Sequence, residues 1–435
     1  MLSVEPTIFF IDDKQVDVDV LIELYRNEGF GVKYFNADLI EGDSVPDENS
    51  FSNANLIFLD IYYKADRQLD KEKCAEWVSG IVPENSFYIL IIWSQDTDEA
   101  DEVISEIINE NRNPFISIIK QKSDYQIEGG WDFRKLRNDI EAEIKNIPEI
   151  EELAVWKKSI NNARNLVIGH LSKKSTSEEL RCKLQKIIVG HGGTSLISTD
   201  NNDFKREVLF DALDSVLISN TKSMIPKASI SDANNHNLYT IPENIQGEID
   251  TKLNSWFHFK LQKEPLNQTI IKPGIICKFN NANLQKLYAL LKDDNIEEFL
   301  KHQIAESEKN DSQTELIDIV LLISRPCDIA QNKYGRNLKL MSGLLIKNPA
   351  RKDNPKKVFK KGSKYDSIKL FDHLSYNEHE NDIALIFDFR YIFSIPENDF
   401  ITEFENIKIF NKELLSEIQV GYSSYSSRLG ITQII

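Results

Sequence analysis

The chain has 435 residues, 52 of them basic and 69 acidic, for a net charge of −17. At about 150 residues per domain this length predicts two large domains or about three ordinary ones, and 41% hydrophobic with 28% charged residues excludes general disorder. An acidic field of that size repels a phosphate backbone, so no nucleic-acid partner is expected.

The opening residues, MLSVEPTIFFIDD, carry neither a basic n-region nor a cleavage site, so they do not read as a signal peptide. The longest apolar stretches, such as Phe87–Trp93, fall far short of the ~20 residues a spanning helix needs, and no membrane partner is expected. Cys74, Cys182, Cys277 and Cys327 show no paired spacing, which predicts reduced thiols and a cytoplasmic location.

The first stretch alternates buried-strand runs with amphipathic segments. Thr7 to Ile11 reads as a strand ended by Asp12 and Asp13. Val16 to Asn27 carries Val20, Leu21 and Leu24 at helical spacing, with Gly29 as a stop. Val32 to Phe35 is a second strand. After a polar segment, Asn55 to Leu59 is a third, ending on Asp60. Phe87 to Trp93 is a fourth, ending at Ser94, and Phe115 to Ile119 a fifth, ending at Lys120 and Lys122. Asp98 to Asn111 and Asp132 to Lys145 read as helices. Continuously apolar strands alternating with helices predict an α/β domain: a doubly wound parallel sheet covered on both faces.

Asn146-Ile147-Pro148-Glu149 marks a boundary, so residues 1–147 form the first predicted domain. Residues 148–235 read as a helical connector, with Leu180 to Val189 and Phe204 to Leu217 as clear helices; Val189 to Thr194 is a loop between helices. Residues 236–435 read as an α+β domain. Its predicted strands are Ile317 to Ser324, Leu338 to Ile346, Ile383 to Phe389 and Ile392 to Ile395; its predicted helices are Leu284 to Ile304 and Glu413 to Ile418.

In an open parallel sheet, functional groups gather at the carboxyl ends of the strands. The sequence places Asp12, Asp13, Asp60, Ser94 and Lys120 or Lys122 there. Three carboxylates in one crevice repel one another and favour a hard divalent cation such as Mg²⁺, bound with water and an incoming phosphate. A hydroxyl and an ammonium on the next two strands would hold phosphoryl oxygens, leaving Asp60 as a nucleophile able to form an acyl phosphate.

The strings IFFIDD, LIFLD, IIWS and SIIKQK resemble the receiver domain of two-component response regulators, over roughly residues 5–145. The resemblance implies Asp60 as the phosphoacceptor, with Asp12, Asp13, Asp60 and the backbone carbonyl of Tyr62 around Mg²⁺. It implies Ser94 as the switch hydroxyl and a lysine paired with the phosphate. Proline follows that lysine in the family, whereas Gln121 follows Lys120 and Ser123 follows Lys122. Either lysine would serve, since residues two apart on an extended chain share a face; Lys122 is preferred because Ser123-Asp124 then begins a turn. The aromatic switch partner of the family is missing, with Ile119 or Ser117 in its place, and 34 residues separate Asp60 from Ser94. Such a site is expected to store a phosphoryl group better than it transmits one.

Further along, Ile323 to Gln331 contains Arg325-Pro326-Cys327-Asp328-Ile329-Ala330-Gln331. A thiol beside a carboxylate could be catalytic, but a buried cysteine with a capping aspartate is the simpler reading. The string is similar to one in C-terminal domains of bacterial phage-defence proteins. With the receiver-like half, it resembles components of antiphage two-component systems of the Detocs kind. That implies a histidine kinase as partner and a second receiver or effector protein downstream, and leaves a homodimer open. The absence of a nuclease, nucleosidase or NADase motif favours a phosphate-buffering intermediary; a receiver-controlled effector using Cys327 and Asp328, or an unphosphorylated scaffold, are the alternatives. His258, Cys277 and Cys327 match no zinc spacing, His373 and His379 read as solvated, the basic run around Lys352 to Lys364 as a loop, and Arg390 as a strand residue with a local partner.

Overall fold

The computed structural model describes residues 6–427 apart from 49, 64–68, 174, 199, 226–237, 244, 246–248, 261–265, 293–303, 305–313, 326–328, 330–334, 336, 352–357, 360–365 and 377–381. The chain divides into two units, residues 1–157 with 227–240, and residues 158–226 with 241–435.

The first unit is a five-stranded parallel sheet with helices on both faces. Its strands are β1 (Ile8–Asp12), β2 (Val32–Asn36), β3 (Leu56–Leu59), β4 (Ile89–Ser94) and β5 (Ile116–Gln121), in the order β2-β1-β3-β4-β5. That is the order of flavodoxin-like doubly wound sheets, whose strand order reverses between β1 and β3. Helices α1 (Asp19–Asn27), α2 (Lys71–Ile81), α3 (Ala100–Asn109) and α4 (Phe133–Lys145) cover it. Strand alternation sorts the core into two layers. Phe9, Ile11, Ile57, Leu59, Leu90 and Ile92 pack with Trp77, Val78 and Ile81 of α2 and Val103 and Ile107 of α3. Ile8, Phe10, Phe58, Ile91 and Trp93 pack with Leu21, Ile22 and Tyr25 of α1 and Leu136 and Ile140 of α4.

Two features depart from the sequence reading. The spacing did not predict α2, which is capped by Asp70 accepting from Lys73 N and is buried along most of its length. Between β2 and β3 the described residues form no helix; residues 37–48 turn on their own side chains, with Asp38 accepting from Ile40 N and Glu41 N.

Helix α5 (Pro148–Ser172) begins on Pro148, whose missing N–H costs nothing at a first helical position. Helix α6 (Ser177–Gly192) starts with a reciprocal Thr176–Glu179 capping box and α7 (Asn202–Met224) with an Asn201 cap. The interhelical loop predicted from Val189 starts later than expected: α6 runs to Gly192 and ends on Gly193 at φ 93°.

The second unit carries an antiparallel sheet. Beside α8 (Thr251–His258), its strands are β8 (Ile275–Phe279), β9 (Glu315–Leu322), β10 (Asn337–Lys347), β11 (Ile368–Ser375), β12 (Asp382–Pro396) and β13 (Phe404–Ile409). They lie in the order β11-β12-β10-β9-β8-β13, with a separate two-stranded hairpin, β6 (Gln126–Ile127) and β7 (Gly130–Trp131), in the first unit. The two strands expected at 383–395 are one, β12, interrupted by a bulge where its pairing with β10 jumps from Phe387 opposite Gly343 to Ile392 opposite Met341. The bulge holds fully buried Asp388, whose carboxylate accepts from Arg390 N, Nε and Nη2. Of the helix expected over 284–304, the described residues show α9 (Ala282–Tyr288) and a 3-10 turn, Leu290–Lys292, while Ile304 bridges Phe359; residues 293–303 lie outside the described residues. Helices α10 (Glu397–Glu403) and α11 (Lys412–Ser426) follow among the described residues. No helix among the described residues is long and apolar enough to cross a membrane.

Candidate functional site

The sheet register builds the site. Ile11 pairs with Leu59, so the residues that follow, Asp12 at the end of β1 and Asp60 just past β3, stand side by side, and Asp60 N donates to Ile11 O across 2.8 Å. This is the point where strand order reverses, the usual ligand crevice of such sheets. Leu59 pairs with Ile92, and β4 continues to Ser94; Ser94 pairs with Gln121, and the next residue is Lys122.

The side chains converge on Asp60. Ser94 Oγ donates to Asp60 Oδ1 at 2.5 Å, and Tyr62 N donates to the same oxygen at 3.2 Å. Lys122 Nζ donates to Asp60 Oδ2 at 2.6 Å and to Asp12 Oδ2 at 2.8 Å. The second oxygen of Asp12 accepts from Lys14 N at 2.8 Å. Asp12, Asp60, Ser94 and Lys122 are all buried, and Asp13 is half-buried.

The two candidate lysines part company. Lys120 lies on β5 and pairs with Glu143 of α4. Strand β5 ends at Gln121, and Lys122 opens a 3-10 turn, Lys122–Tyr125, so the two do not lie on one continuous strand face. The turn, not the pleat, aims Lys122 at the carboxylates. Tyr62 lies half-buried just past Asp60, its phenol donating to Glu99 Oε2 at 2.9 Å.

The sequence reading missed Asp17. It ends a 3-10 turn, Gln15–Asp17, and its Oδ2 lies 3.4 Å from Lys122 Nζ. The signal available was the spacing Asp12-Asp13-Lys14-Gln15-Val16-Asp17, which a regular helix starting at Val16 would have pointed elsewhere.

Behind the site the switch aromatic of the resembling family has no counterpart on β5, where Ile119 is 40% exposed. An aromatic cluster lies one residue away instead. Trp93, next to Ser94, packs against Tyr125 of the Lys122 turn with ring centroids 5.6 Å apart, and against Trp131 and Phe133.

Burial makes charge costly at the site. Burial raises the Asp12 carboxyl, with the Lys122 ammonium opposing and the Asp60 charge adding to the rise. Burial and then the Asp60 charge raise Asp13. Burial works against the Lys122 ammonium, but Asp60 and Asp12 outweigh it and hold it protonated above the ordinary lysine range. Lys122 is the ammonium shared by two buried carboxylates, Asp12 and Asp60, with half-buried Asp13 and Asp17 beside them. One ligand atom from each of Asp12, Asp13 and Asp60 lies within 4.8 Å of the others, a set of hard oxygen donors that could bind a metal ion.

Among the described residues, the other candidates have partners of their own. His258 Nδ1 lies 2.7 Å from Asn254 O, while the Cys277 thiol donates to Asn406 Oδ1 at 3.2 Å. Cys74, Cys182 and Cys277 are free thiols. Cys327, Asp328, His379 and most of the basic run lie outside the described residues. His373 belongs to an Arg351–Asp372–Asp382 cluster, its Nε2 lying 3.4 Å from Arg351 Nη1. No family model, curated protein or solved structure matches the chain.

Proposed function

We propose that the first unit is a phosphoacceptor of the receiver type, taking a phosphoryl group on Asp60 from a histidine kinase with Mg²⁺ bound. One observation carries the reading: Asp60 has a hydroxyl on one oxygen and an ammonium on the other, beside two further carboxylates at the switch point of a parallel sheet. An Asp60 oxygen attacks phosphorus as the bond to the donor's leaving group breaks, so the carboxylate becomes an acyl phosphate and the donor leaves with the bonding electron pair. Lys122 and Ser94 then hold the phosphoryl oxygens through charge-assisted and neutral hydrogen bonds. Asp12, Asp13 and Asp60, with the Tyr62 carbonyl, would hold Mg²⁺, whose charge offsets that of the incoming phosphate.

Ile119, 40% exposed, stands on β5 where an aromatic partner for Ser94 would be expected, which supports a store of phosphoryl groups over a switch. Placement as a signalling or phosphate-buffering component of antiphage defence rests on the sequence resemblance alone. The test is the intact mass of full-length protein incubated with acetyl phosphate and Mg²⁺. Wild type gains one phosphoryl group and Asp60→Asn gains none; equal gains in both, or none in wild type even with a phosphorylated kinase, would retire the reading.

A further inference from the structure

We infer that Asp17 is a positioning residue for Lys122, retaining the ammonium when its other two carboxylates are claimed by a cation and a phosphoryl group; the functional half of this rests on the phosphoacceptor reading of Asp60. A lysine ammonium has three N–H donors and no acceptor. Lys122 Nζ has three carboxylate oxygens around it: Asp60 at 2.6 Å, Asp12 at 2.8 Å and Asp17 at 3.4 Å.

The three are not equivalent. Asp12 and Asp60 belong to the cluster able to hold a cation, and Asp17 does not. A dication on that cluster occupies carboxylate lone pairs and repels the ammonium beside it. Phosphoryl transfer turns the Asp60 carboxylate into a mixed anhydride, so that carboxyl loses its charge. Asp17 alone is unaffected by both events. Its side chain is 22% exposed against 2% for Lys122, so it stands at the outer edge of the cage.

Local structure fixes it there. Lys14 N donates to Asp12 Oδ1 and Lys14 O accepts from Asp17 N at 2.9 Å, so the turn that carries Asp17 is tied to Asp12 itself. The neighbouring Gln15 is drawn the other way, its amide donating to Asp19 at 2.9 Å. The sequence Asp12-Asp13-Lys14-Gln15-Val16-Asp17 thus supplies two metal-facing acids and then one lysine-facing acid.

Two measurements on the full-length protein test this, with Asp17→Asn, which keeps the shape and removes the charge, and Asp17→Glu, which restores it. The first is acylation of lysines by an N-hydroxysuccinimide ester in saturating Mg²⁺, read by peptide mass. Freed from its outer partner, Lys122 should label about tenfold faster in Asp17→Asn than in wild type, while Lys120 and other lysines are unchanged and Asp17→Glu returns toward wild type. The second is phosphoryl uptake from acetyl phosphate across a Mg²⁺ series. Asp17→Asn should lose about tenfold in rate at saturating Mg²⁺, with its half-saturating Mg²⁺ moved far less. Equal Lys122 labelling in Asp17→Asn and wild type overturns the inference, whatever the phosphoryl result. A rate loss wholly matched by weaker Mg²⁺ binding overturns it too, since Asp17 would then act on the metal. If wild type takes up no phosphoryl group, the phosphoacceptor reading fails by itself, and the labelling still decides the role of Asp17.

Discussion

Ser94 places its hydroxyl 2.5 Å from Asp60 Oδ1, a contact spanning 34 residues of chain and closed by the register of two adjacent parallel strands. The hydroxyl donates directly to the carboxylate that the phosphoacceptor reading makes the nucleophile. On that reading it turns to a phosphoryl oxygen during transfer, so its contribution is expected where that oxygen's charge has to be held.

Ser94→Ala removes that donor from a buried site. Phosphoryl uptake should slow by about tenfold to a hundredfold, while stability falls by only about 1 kcal/mol, because Asp60 Oδ1 keeps the Tyr62 N–H. Single-turnover uptake and urea unfolding of the same preparation separate the two effects. A stability loss with unchanged uptake would assign Ser94 to the scaffold.

The Asp12 carboxyl gives the site a pH signature. Burial, reinforced by Asp60 and opposed by Lys122, raises it to about 7. A carboxyl raised above its unfolded value, roughly 3.9, binds its proton more tightly in the folded chain. The stabilisation is complete below the unfolded value and is lost as pH rises through about 7. Metal-free protein should therefore lose stability between about pH 4 and 7, and Asp12→Asn should flatten that slope. A cation has to displace the same proton, so Mg²⁺ affinity should rise by about tenfold per pH unit below about 7 and level off above it. Calorimetric titration at several pH values checks this, and a flat profile would remove Asp12 from the metal set.

Lys122 is the counter-charge for two buried carboxylates, Asp12 and Asp60. Lys122→Met keeps the apolar stem and leaves both acids unpaired, at a cost of about 3–5 kcal/mol. Urea unfolding without metal should show that loss. Adding Asp60→Asn to Lys122→Met should recover part of it, because one of the stranded charges is gone. A Lys122→Met protein as stable as wild type would mean the acids are already protonated without it.

How much of this was legible follows from what each segment had to signal. Asp12, Asp60 and Ser94 were readable because each ends an unbroken apolar run, the mark of a strand buried on both faces. Lys122 was preferred to Lys120 only on the turn that Ser123-Asp124 suggests; a 3-10 turn does run over Lys122–Tyr125, but where the strand ends, at Gln121 opposite Ser94, is set by pairing that residue types do not announce. Helix α2 escaped because its charged residues, Lys71, Glu72, Lys73 and Glu76, stop at its midpoint and Trp77, Val78, Ser79, Gly80 and Ile81 are all buried, which leaves no polar stripe along its second half to reveal a helical period. In the second unit, Asp388 and Arg390 split β12 into two apolar runs although their side chains pair within one bulged strand. Strand β13 was lost for a similar reason: Asn406 is buried in hydrogen bonds to the backbone of residues 267–270, which sequence cannot distinguish from a loop asparagine.

Gly80 shows what the unpredicted helix does for the site. It lies in α2, which packs on the face formed by β1, β3 and β4, the strands that carry Asp12, Asp60 and Ser94. Replacing a helical glycine by alanine ordinarily gains about 1 kcal/mol where the position is open. Here an added Cβ would stand 2.5 Å from Pro46 O and 3.0 Å from Val45 Cγ1, so the loop following β2 has to move off the helix. The packing cost of about 1–3 kcal/mol exceeds the propensity gain, and Gly80→Ala should unfold at lower urea than wild type. Phosphoryl uptake by the folded variant should change little, because neither Gly80 nor Pro46 touches the carboxylates. A Gly80→Ala protein more stable than wild type would show that the loop is not seated against α2.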